Sequence, residues 1–368
     1  MKFNFHITTK IIMDEDCVVK NAALLAPLGE KALIVTGAHS AKSNGALDDV
    51  CRALSANGQS FVLFDKVMSN PTVDCVYEGA NFARNEEADF VVAIGGGSPM
   101  DAAKAIAMLA CEDIPKDRIF DAGYNKRLPL CCIPTTAGTG SETTQYAILV
   151  NDKRQTKTSL GSPVLFPDLA LLDSKYLESL NKNDMTYTVI DAFSHSVEGY
   201  LTKRANGITD TLALEAIKVI AGLFPAIDEW RLTAKERAEL LYASTLSGMV
   251  IVHTGTTAVH PMGYSLTYFK NFVHGRANGI LLPEFLKFTE KKRPDRVIPI
   301  LKAASFASTD EFAYALSSLL GERESVTEDE IRKYSSIVIK AKNIANCVVE
   351  PSEEDLKNIY RLSLRPFA

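Results

Sequence analysis

The chain has 368 residues, 46% hydrophobic and 23% charged, with a net charge of −5 at pH 7. That length predicts two domains rather than one core, and the mild acidity argues against a nucleic-acid surface. No apolar stretch approaches the ~20 residues of a membrane span, so no membrane association is expected. The N-terminus lacks the apolar run of a signal peptide. The seven cysteines are unpatterned, two of them adjacent at Cys131 and Cys132. They read as reduced thiols of a cytoplasmic protein.

In chain order, Phe3–Thr8 and Lys10–Met13 read as short strands. Lys31–Gly37 is an apolar run ending in glycine, the pattern of a buried parallel strand. Asn44–Ala56 has helical periodicity (Leu47, Val50, Leu54) and stops at Asn57-Gly58. Phe61–Val67 predicts a strand, Val73–Glu87 a helix and Asp89–Ile94 a third strand. This alternation predicts a parallel sheet with right-handed crossovers.

The third strand runs into Gly95-Gly96-Gly97-Ser98-Pro99-Met100-Asp101. Ser98 suits an N-cap, Pro99 the first helical position, and Asp101 the third, from which it would bond back to the cap. Three glycines at the carboxyl end of a strand leave backbone amides open to a pyrophosphate. Two glycines would suffice for a tight turn alone. The next strand, Pro129–Ile133, leads into Pro134-Thr135-Thr136-Ala137-Gly138-Thr139-Gly140-Ser141-Glu142, a loop of hydroxyls and glycines suited to lining a nucleotide site. Tyr146–Val150, Thr156–Leu160 and Leu169–Leu172 predict further strands.

After Asn181 the pattern becomes helical: Tyr187–Thr202, Ile208–Ala226, Ala234–Val252, Ile280–Thr289, Asp295–Lys302, Thr309–Leu319, Thr327–Lys342 and Glu353–Leu362. The expected organisation is a dinucleotide-binding α/β domain over 1–180, with a Rossmann-like parallel sheet, and an all-α domain over 181–368.

Four of the six histidines lie between 195 and 274. Asp191 and His195 are four apart, one turn on one helix face. His260 and His274 are separated by Pro261 and Gly263 and read as coming from two segments. One carboxylate and three imidazoles suit Fe²⁺, Zn²⁺, Co²⁺ or Ni²⁺ better than Mg²⁺ or Ca²⁺. An Asp-x-x-x-His pair is also common as a surface ion pair.

These motifs, in this order, resemble the iron-containing (group III) alcohol dehydrogenases. The resemblance rests on Gly95–Ala105, Pro134–Glu142, Asp191–Tyr200 and His260–Gly275, and it spans most of the chain. Val35-Thr36-Gly37, Lys42-Ser43-Asn44-Gly45 and Gly255-Thr256-Thr257 look most like members acting on 1,3-propanediol or primary alcohols. The resemblance implies the two-domain dehydroquinate synthase-like fold, with nicotinamide and metal in the cleft between domains. It implies metal ligands at Asp191, His195, His260 and His274, with Fe²⁺ usual and Zn²⁺ possible. It implies cofactor contacts at Gly37, Asn70, Gly96, Gly97, Ser98, Thr135, Thr136, Ser141 and Lys157; Asp101 and Thr139, in the same stretches, join that set. A homodimer is expected by the same likeness.

Two departures from the family pattern carry consequences. Many NAD-using members have Asp where this chain has Gly37. Its absence leaves room for a 2′-phosphate, with Ser40 and Lys42 nearby, so NADP(H) is expected over NAD(H). Several members carry a further histidine where this chain has Tyr264, which becomes the candidate for positioning substrate or relaying a proton. The expected reaction is hydride transfer between NADP(H) and a small primary alcohol or diol and its aldehyde. The alternatives are a glycerol dehydrogenase-type polyol oxidoreductase using NAD and zinc, and a dehydroquinate synthase-like lyase.

Overall fold

A computed structural model describes residues 3–321 and 324–366 of the chain. It divides into two compact units: Ile7–Leu180, and Asn181–Ala368 joined by the N-terminal residues through His6. Among the described residues, no helix is long and apolar enough to cross a membrane.

The first unit contains strands β1 (Lys10–Met13), β2 (Lys31–Thr36), β3 (Ser60–Phe64), β4 (Phe90–Gly95), β5 (Leu130–Pro134), β6 (Tyr146–Asn151), β7 (Thr156–Gly161) and β8 (Leu169–Leu172). Its helices are α1 (Cys17–Lys20), α2 (Ser40–Ser43), α3 (Ala46–Ala56), α4 (Val73–Asn85) and α5 (Gly97–Cys111). Six strands form one sheet in the order β1-β8-β5-β4-β2-β3, with every neighbouring pair parallel. β6 and β7 are not in that sheet; they pair antiparallel as a separate hairpin.

Alternation along the strands sorts their side chains onto two faces. Leu33 and Val35 of β2 and Val91 and Ala93 of β4 pack with Val76, Ala80 and Ile106 of α4 and α5. Ala32, Ile34, Val92 and Ile94 pack on the other face with Cys17 and Val18 of α1 and Val50 and Leu54 of α3. Cys131 and Cys132 therefore belong to opposite cores, and both are free thiols. With both faces covered, the strands read as continuous apolar runs.

The second unit carries α6 (Lys182–Tyr200), α7 (Gly207–Gly222), α8 (Phe224–Asp228), α9 (Ala234–Thr254), α10 (Val259–Lys270), α11 (His274–Glu290), α12 (Pro294–Ala303), α13 (Thr309–Leu320), α14 (Glu328–Val338) and α15 (Glu353–Ser363). A two-residue parallel pair, β9 (Ser325–Val326) with β10 (Arg365–Pro366), and an isolated antiparallel bridge between Thr202 and Cys347 interrupt its helical character.

Several sequence expectations need correction. Phe3–Thr8 forms no strand. Pro261 and Gly263, taken as breaks, lie inside α10. Pro261 is tolerated because it falls in the first turn, where amides have no intrahelical acceptor. Gly263 is needed there, since a Cβ would sit 2.1 Å from Asn278 Oδ1 on α11. α11 begins at His274 itself rather than at Ile280.

Candidate metal centre and dinucleotide cradle

Three helices of the second unit supply the candidate ligands. α6 presents Asp191 and His195 one turn apart, both buried. α10 presents His260 at its second position, and α11 opens with His274. The α6 and α11 backbones approach closely at Gly275, where a Cβ would stand 1.8 Å from the Tyr187 carbonyl oxygen.

Asp191, His195 and His260 offer ligand atoms that all lie within 4.8 Å of one another. Asp191 Oδ1 lies 3.7 Å from His260 Nε2 and 3.6 Å from His274 Nε2. The His195 and His260 rings stack at 4.6 Å, and the His260 and His274 rings meet edge-on at 5.3 Å. Ligands ~2.1 Å from a tetrahedral ion stand about 3.4 Å apart, so these separations fit a divalent centre. The donor set, one carboxylate oxygen and imidazole nitrogens, is that of a transition-metal or zinc site.

Two residues that sequence reasoning passed over support this cluster. The Asn278 amide donates to Asp191 Oδ1 at 2.9 Å and faces His260 Nε2 and His274 Nε2 at 3.3 Å each. Glu198, wholly buried, faces His260 Nδ1. Burial pushes its carboxyl group up, but His260 and Thr257 more than offset this and hold it below the ordinary value. The signal was present in the spacing. Glu198 is seven residues after Asp191 and Asn278 four after His274, each on its helix's ligand-bearing face. Tyr264, one turn after His260, stacks on the His274 ring at 5.1 Å.

Residues expected to contact the dinucleotide in the first unit lie in the turns after β4 and β5. The Thr135 amide donates to the Gly95 carbonyl at 2.9 Å, locking the hydroxyl loop to the triple glycine. A Cβ on Gly97 would come 2.6 Å from Thr139 Cγ2, and one on Gly96 3.0 Å from Thr136 Oγ1, so a side chain at Gly97 would force Thr139 to move and one at Gly96 would crowd Thr136. The Asn70 amide donates to Ser98 Oγ at 3.2 Å, and Lys157 Nζ to Asn70 Oδ1 at 3.3 Å. Gly96, Gly97, Ser98, Thr136, Thr139, Asn70 and Lys157 are all partly accessible, whereas Thr135 is buried.

The start of α5 differs from expectation. The helix begins at Gly97, Gly96 is its N-cap, and no side chain caps it. Ser98 does not cap and Asp101 does not bond back to it. Instead Asp101 accepts from Ser141 Oγ at 2.6 Å and from the Ile148 amide at 3.0 Å. Donors on the hydroxyl loop and the neighbouring hairpin have outcompeted the local capping box, and α5 is left without a side-chain cap where an anion can bind. Asp101 and Ser141 are thus turned inward, beside the buried Lys104.

Gly37 directly follows β2 and is partly accessible. Ser40 opens α2 and is exposed. Lys42 is also exposed, and its Nζ is engaged by Asp65 Oδ2 at 2.6 Å.

Residues 8–174 match the family described as iron-containing alcohol dehydrogenase, and residues 185–364 match that family's C-terminal domain. The chain belongs to the iron-containing alcohol dehydrogenase family. It is 31% identical over 303 residues to an NADPH-dependent butanol dehydrogenase of Clostridium saccharobutylicum, covering 80% of this chain and 77% of that protein. It is 32% identical over 263 residues to the lactaldehyde reductase of Escherichia coli strain K12, covering 70% and 68%. An iron-containing alcohol dehydrogenase of Thermotoga maritima has the same fold with a TM-score of 0.92 at 37% identity, covering 99% of both chains. The protein is accordingly an NAD(P)-dependent alcohol dehydrogenase or aldehyde reductase, an oxidoreductase of a family that implies iron.

Proposed function

We propose that the enzyme interconverts a small primary alcohol or diol and its aldehyde with NADP(H), using Fe²⁺ held by Asp191, His195, His260 and His274. The observation carrying this reading is that Asp191, His195 and His260, from two helices, bring ligand atoms within 4.8 Å of one another, while His274 on a third helix sets its Nε2 3.6 Å from Asp191 Oδ1. Bound there, the ion would supply Lewis acidity toward the substrate oxygen.

The chain's own groups divide the remaining work. Asp191 supplies the one carboxylate of the ligand set, lowering the net charge of the centre. Tyr264, stacked on His274, sets a phenol beside the ligands, where it can hydrogen-bond a substrate hydroxyl. Thr136, Thr139 and the glycines of the Gly95–Ser98 turn bind and orient the dinucleotide, whose nicotinamide carries the hydride. Ser98, Asn70 and Lys157 form a linked polar row suited to its phosphates.

Preference for NADP(H) follows from Gly37, which presents no acid to the adenosine ribose, and from exposed Ser40 and Lys42 beside it in sequence. The Clostridium relative is named for NADPH.

The test is anaerobic. Fe²⁺-reconstituted protein is assayed for NADPH oxidation against short aldehydes, with NADH and Zn²⁺ in parallel arms. Fastest turnover with NADPH and Fe²⁺ is expected. A higher kcat/KM with NADH would overturn the cofactor assignment, and no turnover of any short aldehyde or alcohol would overturn the substrate class.

A further inference from the structure

Glu198 stands on α6 three residues after His195, with no exposure to solvent. Its ion-pair partner is an imidazole rather than a lysine or arginine. The carboxylate gathers donors from three directions. Oε1 accepts the Thr257 amide at 2.9 Å, the Thr257 hydroxyl at 2.7 Å and the His260 amide at 3.3 Å. Oε2 accepts the Ser194 hydroxyl at 3.1 Å and faces His260 Nδ1. A buried carboxylate persists only when its lone pairs are so engaged.

This arrangement determines where the His260 proton sits. An ionised carboxylate can only accept, so Nδ1 must be the donor. Nε2 then carries the lone pair. The other edge of the ring agrees: Asn278 turns its amide nitrogen, a donor, toward Nε2 at 3.3 Å. The reverse orientation of that amide would set its oxygen against Asp191 Oδ1, two acceptors in contact. Both neighbours therefore select the same tautomer, and the Nε2 lone pair faces Asp191 and His274.

We propose that Glu198 is a positioning residue of the metal centre, holding His260 as its Nδ1–H tautomer so that Nε2 is presented to the ion. The proposal rests on the reading of Asp191, His195, His260 and His274 as ligands. Histidine ligands commonly donate their second ring N–H to a carboxylate, and loss of such a partner weakens metal binding by about 10–100-fold. Glutamine at this position would do so despite its shape. With its oxygen toward Nδ1, its NH₂ would meet the Thr257 amide. With its NH₂ toward Nδ1, it would favour Nε2–H and place a proton where the ion belongs.

Two measurements test this. The first needs no variant and no metal. Histidine-selective ¹⁵N labelling of the intact apoprotein, with His260 assigned through His260→Gln, reads the tautomer directly. Protonated Nδ1 and bare Nε2 are expected; the opposite tautomer overturns the proposal. The second is Zn²⁺ affinity by chelator competition in folded wild type, Glu198→Gln and Thr257→Val. Glu198→Gln should bind about 10–100-fold more weakly. Thr257→Val, which strips a donor from the same carboxylate without touching His260, should stay near wild type. Equal loss in both would reassign Glu198 to holding the 255–258 turn. Wild-type affinity in Glu198→Gln would remove its role. Absence of Zn²⁺ binding in the wild type itself would bring down the ligand assignment and this proposal together, a failure distinct from the other two.

Discussion

The ammonium of Lys104, wholly buried, donates to the Ser141 carbonyl at 2.6 Å and to the Ser141 hydroxyl at 2.7 Å. It also reaches Thr144 Oγ1 and the Tyr146 carbonyl. One cation on α5 thereby ties the helix that starts at the triple glycine to the far end of the hydroxyl loop. Burial pushes the Lys104 ammonium down and the Asp101 carboxyl up, and each partly offsets the other's shift. Lys104→Met is expected to leave Asp101 without its countercharge and the loop without its anchor. The loss should be about 3–5 kcal/mol of stability in the first unit, with weaker dinucleotide binding. Thermal unfolding and titration of protein fluorescence with NADPH check this; unchanged affinity in the folded variant would detach the loop from cofactor binding.

Cofactor preference should respond to two substitutions with opposite signs. Gly37→Asp restores an acid that repels a 2′-phosphate and should shift the kcat/KM ratio toward NADH by roughly tenfold or more. The new Cβ would lie 3.3 Å from the Val67 carbonyl, a tight contact that asks a small backbone shift. Asp65→Asn releases Lys42 from its 2.6 Å ion pair and should raise kcat/KM for NADPH a few-fold. An unchanged ratio in both variants would show that neither position reads the phosphate.

His195→Ala should abolish metal binding and leave dinucleotide affinity nearly intact, since the two sets of residues belong to separate compact units. Metal stoichiometry after dialysis and NADPH binding measured on the same sample decide it. Loss of both together would contradict that division of labour.

Gly275→Ala tests whether the ligands depend on one backbone approach. Its Cβ would fall 1.8 Å from the Tyr187 carbonyl and 3.0 Å from Asp191 Cβ. Neither backbone can yield that much locally, so the start of α11 must move away from α6, carrying His274 with it. A loss of about 2–4 kcal/mol is expected, and Zn²⁺ affinity should fall as well. Wild-type affinity would mean that His274 is dispensable for binding.

Acid stability should depend on Asp49. Burial raises its carboxyl pKa, but hydrogen bonds from Lys175 and Tyr176 outweigh this and leave it below the ordinary value. Lys175 Nζ stands 2.9 Å from Asp49 Oδ2, and the Tyr176 hydroxyl 2.8 Å from it. A depressed carboxyl pKa contributes stability above the unfolded value, about 3.9, and loses it as pH falls through the folded value. Asp49→Asn should therefore cost about 2 kcal/mol at pH 7 and progressively less below pH ~4. Denaturant midpoints across that range give the answer; a constant difference would show that the charge is irrelevant.

Much of this enzyme is local and could be read from its sequence. The apolar runs at Lys31–Thr36 and Phe90–Gly95, each followed by glycine, specify buried parallel strands, because only strands covered on both faces omit polar positions. Asp191 and His195 declare a shared helix face by their spacing alone. The family itself is carried by four contiguous motifs and needs no tertiary information.

What the tertiary structure decided lies wherever a distant partner outcompetes a near one. Asp101 had a cap within reach but found Ser141 and Ile148 on another element. Gly263 looks like a helix breaker until Asn278 is seen to need the space a side chain would fill. Lys42 is an unengaged cation in the sequence and an ion pair with Asp65 in the fold. Glu198 and His260 are 62 residues apart, and spacing on α6 sets Glu198 on the ligand-bearing face without naming His260 as its partner. Such pairings arise when the fold brings together groups distant in the chain, and for the buried ones, Asp101 and Glu198, burial makes every unmet hydrogen bond expensive, a condition that no local stretch of the chain can register.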